Sequence, residues 1–225
     1  MIYSDILMGT FIERPNRFIA KVKVNNKIET VHVKNTGRCK ELLTKNATVI
    51  LEKSNNPNRK TNFSLIAVYK NDLLINMDSQ VPNKVVYDAI NENIINFDVI
   101  ELKHEVTYKN SRFDIYFKNT KANFLEVKGV TLEENGVAMF PDAVTTRGKK
   151  HLLELLDAKE NGYGAYVLFL IQFKNPKYFT PNIVGDPEFS KTLKYVHSKG
   201  VDILVYDSIV TDKSIVLGNK IDFKL

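Results

Sequence analysis

Apolar and polar positions along this chain follow one period in the first third and another in the rest. Over Arg17-Phe18-Ile19-Ala20-Lys21-Val22-Lys23-Val24 apolar and basic residues alternate, which predicts a half-buried strand with a cationic outer face. Asn25-Asn26 turns the chain into Lys27-Ile28-Glu29-Thr30-Val31-His32-Val33, and three more strands are expected at 47–52, 63–69 and 73–77. The polar stretch from Ser54 to Asn62 reads as a loop, and Asn71-Asp72 as the turn between the last two strands. Five short strands in about 70 residues suit a small closed barrel, of which the oligonucleotide-binding (OB) barrel is one form.

From Pro82 the period lengthens. Val85, Val86, Ala89, Ile90 and Ile94 recur at helical spacing and predict an amphipathic helix over 83–93. Three strands follow, near 102–108, 112–117 and 124–132, then a helix over 145–159 stopped by Asn161-Gly162. Tyr166-Val167-Leu168-Phe169-Leu170-Ile171 is continuously apolar, as a central strand covered on both faces should be. A helix over 188–199, ended by Gly200, and a buried strand over 201–206 complete the order α-β-β-β-α-β-α-β. That order predicts a mixed central sheet flanked by helices, so the chain divides into an OB-like barrel (1–81) and an α/β domain (82–225).

Composition changes this picture in two respects. The net charge of +6 lies entirely in the first third: residues 1–80 hold 13 Lys/Arg against 7 Asp/Glu, and the remainder hold 19 of each. Charge asymmetry of this kind points to an anionic partner such as nucleic acid. The single Cys39 excludes an internal disulfide, and with four scattered histidines it makes no zinc site. No apolar run approaches the roughly 18 residues of a membrane helix, and Met1–Asp5 opens no signal peptide, so a cytoplasmic, membrane-free protein is expected.

The excess charge gathers around Lys34-Asn35-Thr36-Gly37-Arg38-Cys39-Lys40. Asn35-Thr36 is expected to cap a short helix there, and Gly37 lets backbone N–H groups approach an anion. Arg14, Arg17, Lys21 and Lys23 extend that surface, with Phe18 or Phe63 available for base stacking. The same residues also read as a solvated barrel exterior over core phenylalanines.

The chemistry is sought where charge interrupts apolar strands. In Phe124-Leu125-Glu126-Val127-Lys128-Gly129-Val130, strand alternation puts Glu126 and Lys128 on one face. Asp114 interrupts Phe113-Asp114-Ile115-Tyr116-Phe117 in the same way. If these strands are neighbours, Asp114 and Glu126 converge. Two carboxylates suit Mg²⁺ or Mn²⁺, which completes its shell with water and substrate phosphate, and a nearby Lys stabilises developing charge. An ion pair at a sheet edge is the plainer reading of Glu126 and Lys128. Downstream, Phe140-Pro141-Asp142-Ala143-Val144-Thr145-Thr146 leads into Arg147-Gly148-Lys149-Lys150-His151. Cations at a helix start oppose its dipole, so this cluster makes sense around a phosphate, or else points into solvent, with His151 equally readable as a packing residue.

Taken together, Asp114, Glu126 and Lys128 on adjacent strands resemble the metal site of the PD-(D/E)XK nuclease superfamily. The longer strings Asn35-Thr36-Gly37, Ser111-Arg112-Phe113-Asp114, Glu126-Val127-Lys128-Gly129-Val130-Thr131-Leu132 and Phe140 to Leu152 resemble the sugar fermentation stimulation protein A family over nearly the whole chain. The resemblance implies an OB barrel, a nuclease-like domain and DNA binding, with Asp114 and Glu126 as metal ligands and Lys128 as the catalytic lysine. With the basic surface and the helix start read above and the strings just quoted, the candidate contacts to nucleic acid or phosphate are Arg14, Arg17, Lys21, Asn35, Thr36, Gly37, Arg38, Arg112, Asp142, Arg147, Lys149 and His151. The superfamily often adds an acid from the first helix, for which Glu92 stands here beside Asp88. Where the family often has His-Cys-Pro, this chain has His32-Val33-Lys34, which leaves a cysteine there without a counterpart. Two functions are expected from this: a Mg²⁺-dependent nuclease acting on DNA, and a non-catalytic DNA-binding regulator of sugar metabolism on the same fold. A binder of nucleotides or small anions is a third.

Overall fold

The computed structural model describes residues 1–35 and 37–225. Its first sheet contains β1 (Ile6–Asn16), β2 (Ile19–Val24), β3 (Lys27–Val33), β4 (Thr48–Lys53), β5 (Phe63–Lys70) and β6 (Leu73–Asn76), in the order β3-β2-β1-β4-β5-β6. A parallel pairing, His32↔Ser64 and Val33↔Leu65, joins β3 to β5 and closes the sheet into a five-stranded barrel. The expected OB-type barrel is therefore present, but its membership differs. The ring is β1–β5, while β6 hairpins onto β5 outside it.

The strand absent from the sequence expectation is β1, which pairs with both β2 and β4. Its pairing with β2 shifts register between Phe11 and Glu13, and again between Glu13 and Asn16, so no clean period-2 alternation survives. Gly9 belongs there because a Cβ would lie 2.5 Å from Val22 Cγ1. The short helix expected after Asn35 is absent among the described residues. Cys39, Leu42 and Leu43 instead form one turn, with Leu43 N donating to Cys39 O at 2.9 Å, and all three are buried in the barrel core.

The second domain runs α1 (Val81–Asn91), β7 (Glu101–Tyr108), β8 (Ser111–Lys118), β9 (Ala122–Val130), β10 (Leu132–Glu134), β11 (Val137–Phe140), α2 (Thr146–Glu160), β12 (Gly164–Ile171), β13 (Tyr178–Pro181), α3 (Pro187–Ser198), β14 (Asp202–Val210) and β15 (Ile215–Lys220). The central sheet has the order β15-β14-β12-β9-β8-β7, with β12 parallel to both β9 and β14 and the remaining pairs antiparallel. Strand β12 is buried on both faces, which explains its unbroken apolar run. Leu168 and Leu170 pack with Val81, Val85 and Ala89 of α1. Val167 and Phe169 belong to the opposite core, with Leu152 and Leu155 of α2 and Phe189 and Leu193 of α3.

A small sheet, β10-β11-β13, was not expected from the pattern. Its hairpin turns at Asn135-Gly136, both at positive φ (54° and 83°), the Asn-Gly signal of a tight turn. Strand β15 was also unforeseen; residues 1–3 lie beside it, with Tyr3 N donating to Lys213 O at 2.8 Å. Barrel and α/β domain are tied by buried amides: Gln172 Nε2 donates to Asn76 Oδ1 (3.0 Å) and to Asp78 O (3.2 Å), and Asn76 N donates to Gln172 O (2.9 Å). Among the described residues no helix is long and apolar enough to cross a membrane.

Candidate active site

Strands β8 and β9 are neighbours, and their paired register ends at Ile115↔Leu125, one step from Asp114 and Glu126. At that point β8 changes face. Phe113 packs in the α2-side core, whereas Ile115 and Phe117 pack in the α1-side core. Asp114 occupies the switch, and its Oδ2, rather than a main-chain carbonyl, accepts the Val127 N–H at 2.8 Å. Its Oδ1 accepts from Asn83 Nδ2 of α1 at 2.7 Å. The sequence offered Glu92 or Asp88 as the helix contribution. Neither reaches the site: Asp88 pairs with Lys84 at 2.9 Å on the surface and Glu92 is exposed beyond the last turn. Helix α1 contributes an amide instead of an acid, and a single Asn near a helix start carries no signal in the sequence.

Glu126 and Lys128 share a face, as alternation requires, and that face looks at α2. Lys128 Nζ donates to Glu126 Oε1 at 2.6 Å, with the lysine side chain 13% exposed. This is a buried pair, not an ion pair at a sheet edge. The same Oε1 is also bonded by His151 Nδ1 from α2, whose ring meets Phe113 edge-on. Arg147 Nε donates a long bond, 3.4 Å, to His151 Nε2. With Nε2 accepting, Nδ1 carries the hydrogen given to Glu126, an assignment that follows from the network. His151 thus orients a carboxylate and is not part of an exposed phosphate turn.

The electrostatics of the two acids differ. Burial pushes Asp114 up to about 6, with the Glu126 charge adding to it and the Val127 N–H opposing. Burial acts on Glu126 in the same sense, but the His151 hydrogen bond and the Lys128 charge outweigh it and hold Glu126 below the usual carboxylate range. Glu126 Oε2 is buried with no hydrogen-bond partner among the described residues. A hard cation would supply that missing partner and relieve the repulsion between the acids. Among the described residues no three His, Cys, Asp or Glu side chains form a cage. A cation here would rest on two carboxylates, with water and substrate oxygens completing its shell, an arrangement Mg²⁺ favours and zinc does not.

The other expected contact residues differ in what they touch. Arg14 is spent on structure: Nη1 donates to Gly37 O and Arg38 O (both 2.8 Å), and Nη2 to Arg17 O (2.7 Å) and Asn35 O (2.6 Å). Gly37 N donates to Asn35 Oδ1 at 2.7 Å, and the carbonyl-clamped loop leaves so little room that a Cβ on Gly37 would meet the Asp142 carboxylate. Arg17, Arg38 and Lys40 line a cavity of about 640 Å³ with Val144. Asn35, Gly37 and Asp142 line an adjoining one of about 310 Å³ that also touches Gly129 and Gln172. Lys21 of β2 donates to Thr30 Oγ1, its cross-strand neighbour on β3, at 2.6 Å. Arg112 pairs with Glu105 (3.3 Å) and Lys149 with Glu188 (3.7 Å), both on the surface. Thr36 lies outside the described residues. Cys39 is fully buried and its thiol is pushed up to about 12, chiefly by burial and then by Asp142, so it is inert.

Two family models match the chain, one on each structural unit: "SfsA N-terminal OB domain" over residues 12–77 and "Sugar fermentation stimulation protein RE domain" over residues 80–214. The chain belongs to the sugar fermentation stimulation protein family. Among relatives in this family, the homolog from Clostridium beijerinckii is 54% identical over 223 residues, covering 99% of both chains. The homolog from Clostridium botulinum strain Langeland is 54% identical over 234 residues, covering all of this chain and 99% of its own. A solved family structure, Pyrococcus furiosus SfsA in complex with Ca²⁺, superposes with a TM-score of 0.90 over all of this chain and 98% of that one; at 24% identity the likeness speaks for the fold.

Proposed function

We propose that this family member is a DNA-binding, divalent-metal-dependent nuclease that hydrolyses phosphodiesters, with barrel (1–81) and α/β domain (82–225) dividing binding from cutting. The observation that carries the reading is the buried, unpartnered Oε2 of Glu126 beside the half-buried Asp114, with Lys128 held on the same carboxylate. That a relative of the same fold is described in complex with Ca²⁺ supports a divalent cation at this protein too. Bound by Asp114 and Glu126, Mg²⁺ or Mn²⁺ supplies Lewis-acid polarisation and an acidified water.

The chain's own residues do the rest. His151 and Lys128 fix Glu126 from two sides, so the carboxylate presents Oε2 without rotating. Asn83 and the Val127 N–H fix Asp114 in the same way. The Lys128 ammonium, two residues along the strand from Glu126, is positioned to neutralise charge that develops on a cleaved phosphate. Arg17, Arg38 and Lys40 give the backbone of the DNA a cationic bed beside it.

The test incubates purified protein with single- and double-stranded DNA, with and without Mg²⁺ or Mn²⁺. Cleavage is expected only with metal, and Lys128→Ala should lower it by about 100-fold or more while DNA affinity stays close to wild type. No cleavage in any metal, or undiminished cleavage by Lys128→Ala, would sink the enzyme reading. Metal-independent DNA binding that survives Glu126→Ala would then favour the regulator.

A further inference from the structure

The loop before α2 and the loop before α3 are bonded to each other at both ends. Asn182 N donates to Phe140 O (2.8 Å), Asn182 Nδ2 to Pro141 O (2.9 Å), and Thr145 N to Asp186 Oδ2 (2.8 Å). Inside the second loop Gly185 N donates to Asn182 Oδ1 (2.9 Å) and Asp186 N to Asn182 O (2.8 Å), which makes a tight, fixed turn. On the tips of this paired structure stand three aliphatic side chains: Val144 is 72% exposed, Ile183 65% and Val184 92%. One exposed aliphatic is ordinary. Three on adjoining loops, each loop tied down by hydrogen bonds, form a fixed apolar edge left uncovered by the described residues.

Its position says what it meets. Val144 lines both cavities at the domain junction: the one bordered by Arg17, Arg38 and Lys40, and the one that reaches Gly129, the residue after Lys128. Ile183 and Val184 line neither cavity but follow on the loop bonded alongside Val144, so a polyanion with its phosphates on Arg17, Arg38 and Lys40 would lie next to this apolar edge. We propose that Val144, Ile183 and Val184 form a wedge that enters between base steps of bound DNA and unstacks them next to the candidate active site. Proteins that deform DNA commonly use aliphatic wedges of this kind, held on rigid elements and flanked by phosphate contacts. Unstacking there frees the backbone of one strand to turn toward Asp114 and Glu126. The proposal rests on the DNA-binding reading above and concerns how DNA is held, not whether it is cut.

The experiment uses a duplex carrying 2-aminopurine, whose fluorescence rises when it is unstacked, in Ca²⁺. Fluorescence anisotropy of an end-labelled copy reports binding separately. Wild type is expected to bind and to raise the 2-aminopurine signal several-fold at one or two positions. The Val144→Ser/Ile183→Ser/Val184→Ser variant is expected to bind within about threefold of wild-type affinity, since the phosphate contacts remain, but to leave the signal flat. Val184→Ser alone, at the most exposed position, should give an intermediate signal and guards against misfolding of the triple variant. An undiminished signal in both variants, or wild-type binding with no rise at any position, overturns the wedge alone. Flat anisotropy for wild type overturns the DNA-binding reading itself, and the wedge with it. Wild-type binding to anionic vesicles that the triple variant loses, with the 2-aminopurine signal unchanged, assigns the tips to a lipid surface and also overturns the proposal.

Discussion

Asp114 illustrates how much one side chain costs this protein. Its pKa in the fold, about 6, lies above the usual 3.8, so the folded state holds a proton more tightly than the unfolded chain does. Stability from this group is therefore full below about pH 4 and is lost as pH rises through about 6. In the metal-free protein at pH 7 and above, Asp114→Asn should raise stability by up to about 3 kcal/mol, the equivalent of two pKa units. The amide can keep both native bonds if Asn83 turns its carbonyl toward it, and the gain should vanish near pH 4. Denaturant titrations of both proteins at pH 4 and 7.5 check this; equal stability at both pH values would contradict it. The same group makes cation affinity fall as pH drops below about 6, because a ligand must be ionised to bind. On the proposed reading, His151 positions Glu126 through its bond to Oε1. His151→Ala should lower metal affinity by about 10–100-fold, the usual effect of removing an orienting partner, with the fold intact by circular dichroism.

At the scale of elements, the backbone at Asn35, Gly37 and Arg38 is held by one guanidinium. Arg14→Ala removes four bonds to carbonyls and should destabilise by about 2–4 kcal/mol, since bonds to charged groups are each worth about 1.5–3 and do not add fully. Arg14→Lys should rescue little, because a single ammonium cannot span carbonyls that a planar fork reaches. Thermal melts of the two variants separate this from a plain charge effect, which lysine would restore. Much of the element pattern was legible in the sequence. The continuous apolar run of β12, the alternation of β2 and the amphipathic spacing in α1 each follow from which faces those elements bury. What escaped has physical causes. Strand β1 is bulged and runs past Gly9 and Pro15, so its period is broken. The β10–β11 hairpin is three and four residues long, too short for a pattern, although Asn135-Gly136 marked its turn. The site divides likewise. Charges inside apolar strands pointed to Asp114, Glu126 and Lys128, while Asn83 and the His151 bond depend on how helices dock, which no local pattern encodes.

At the scale of the molecule, the two domains are held in register by buried amides. Gln172 reaches from the end of β12 to Asn76 and Asp78, and Asp78 in turn accepts from Lys34 of the barrel at 3.0 Å. Gly129 allows this contact: a Cβ there would lie 2.5 Å from Gln172 Oε1 and 2.8 Å from Pro82 Cγ. Gln172→Ala should lower thermal stability and weaken DNA cleavage more than metal binding, because it loosens the groove relative to the carboxylates while leaving them in place. Equal losses in both would contradict a role in domain register. The charge of the first third belongs to this scale too: DNA affinity should fall steeply with salt, and each of Arg17→Ala, Arg38→Ala and Lys40→Ala should reduce the slope of log K against log salt by about one if its side chain neutralises a phosphate. The proposed cleavage depends on Asp114 and Glu126 together holding a divalent cation. Calorimetric titration of Mn²⁺ into wild type, Asp114→Asn and Glu126→Gln at pH 7.5 tests it most directly. One binding event in wild type, lost in both variants while their folds persist, is the predicted result. The same heat in Glu126→Gln as in wild type, or none in wild type, would contradict it.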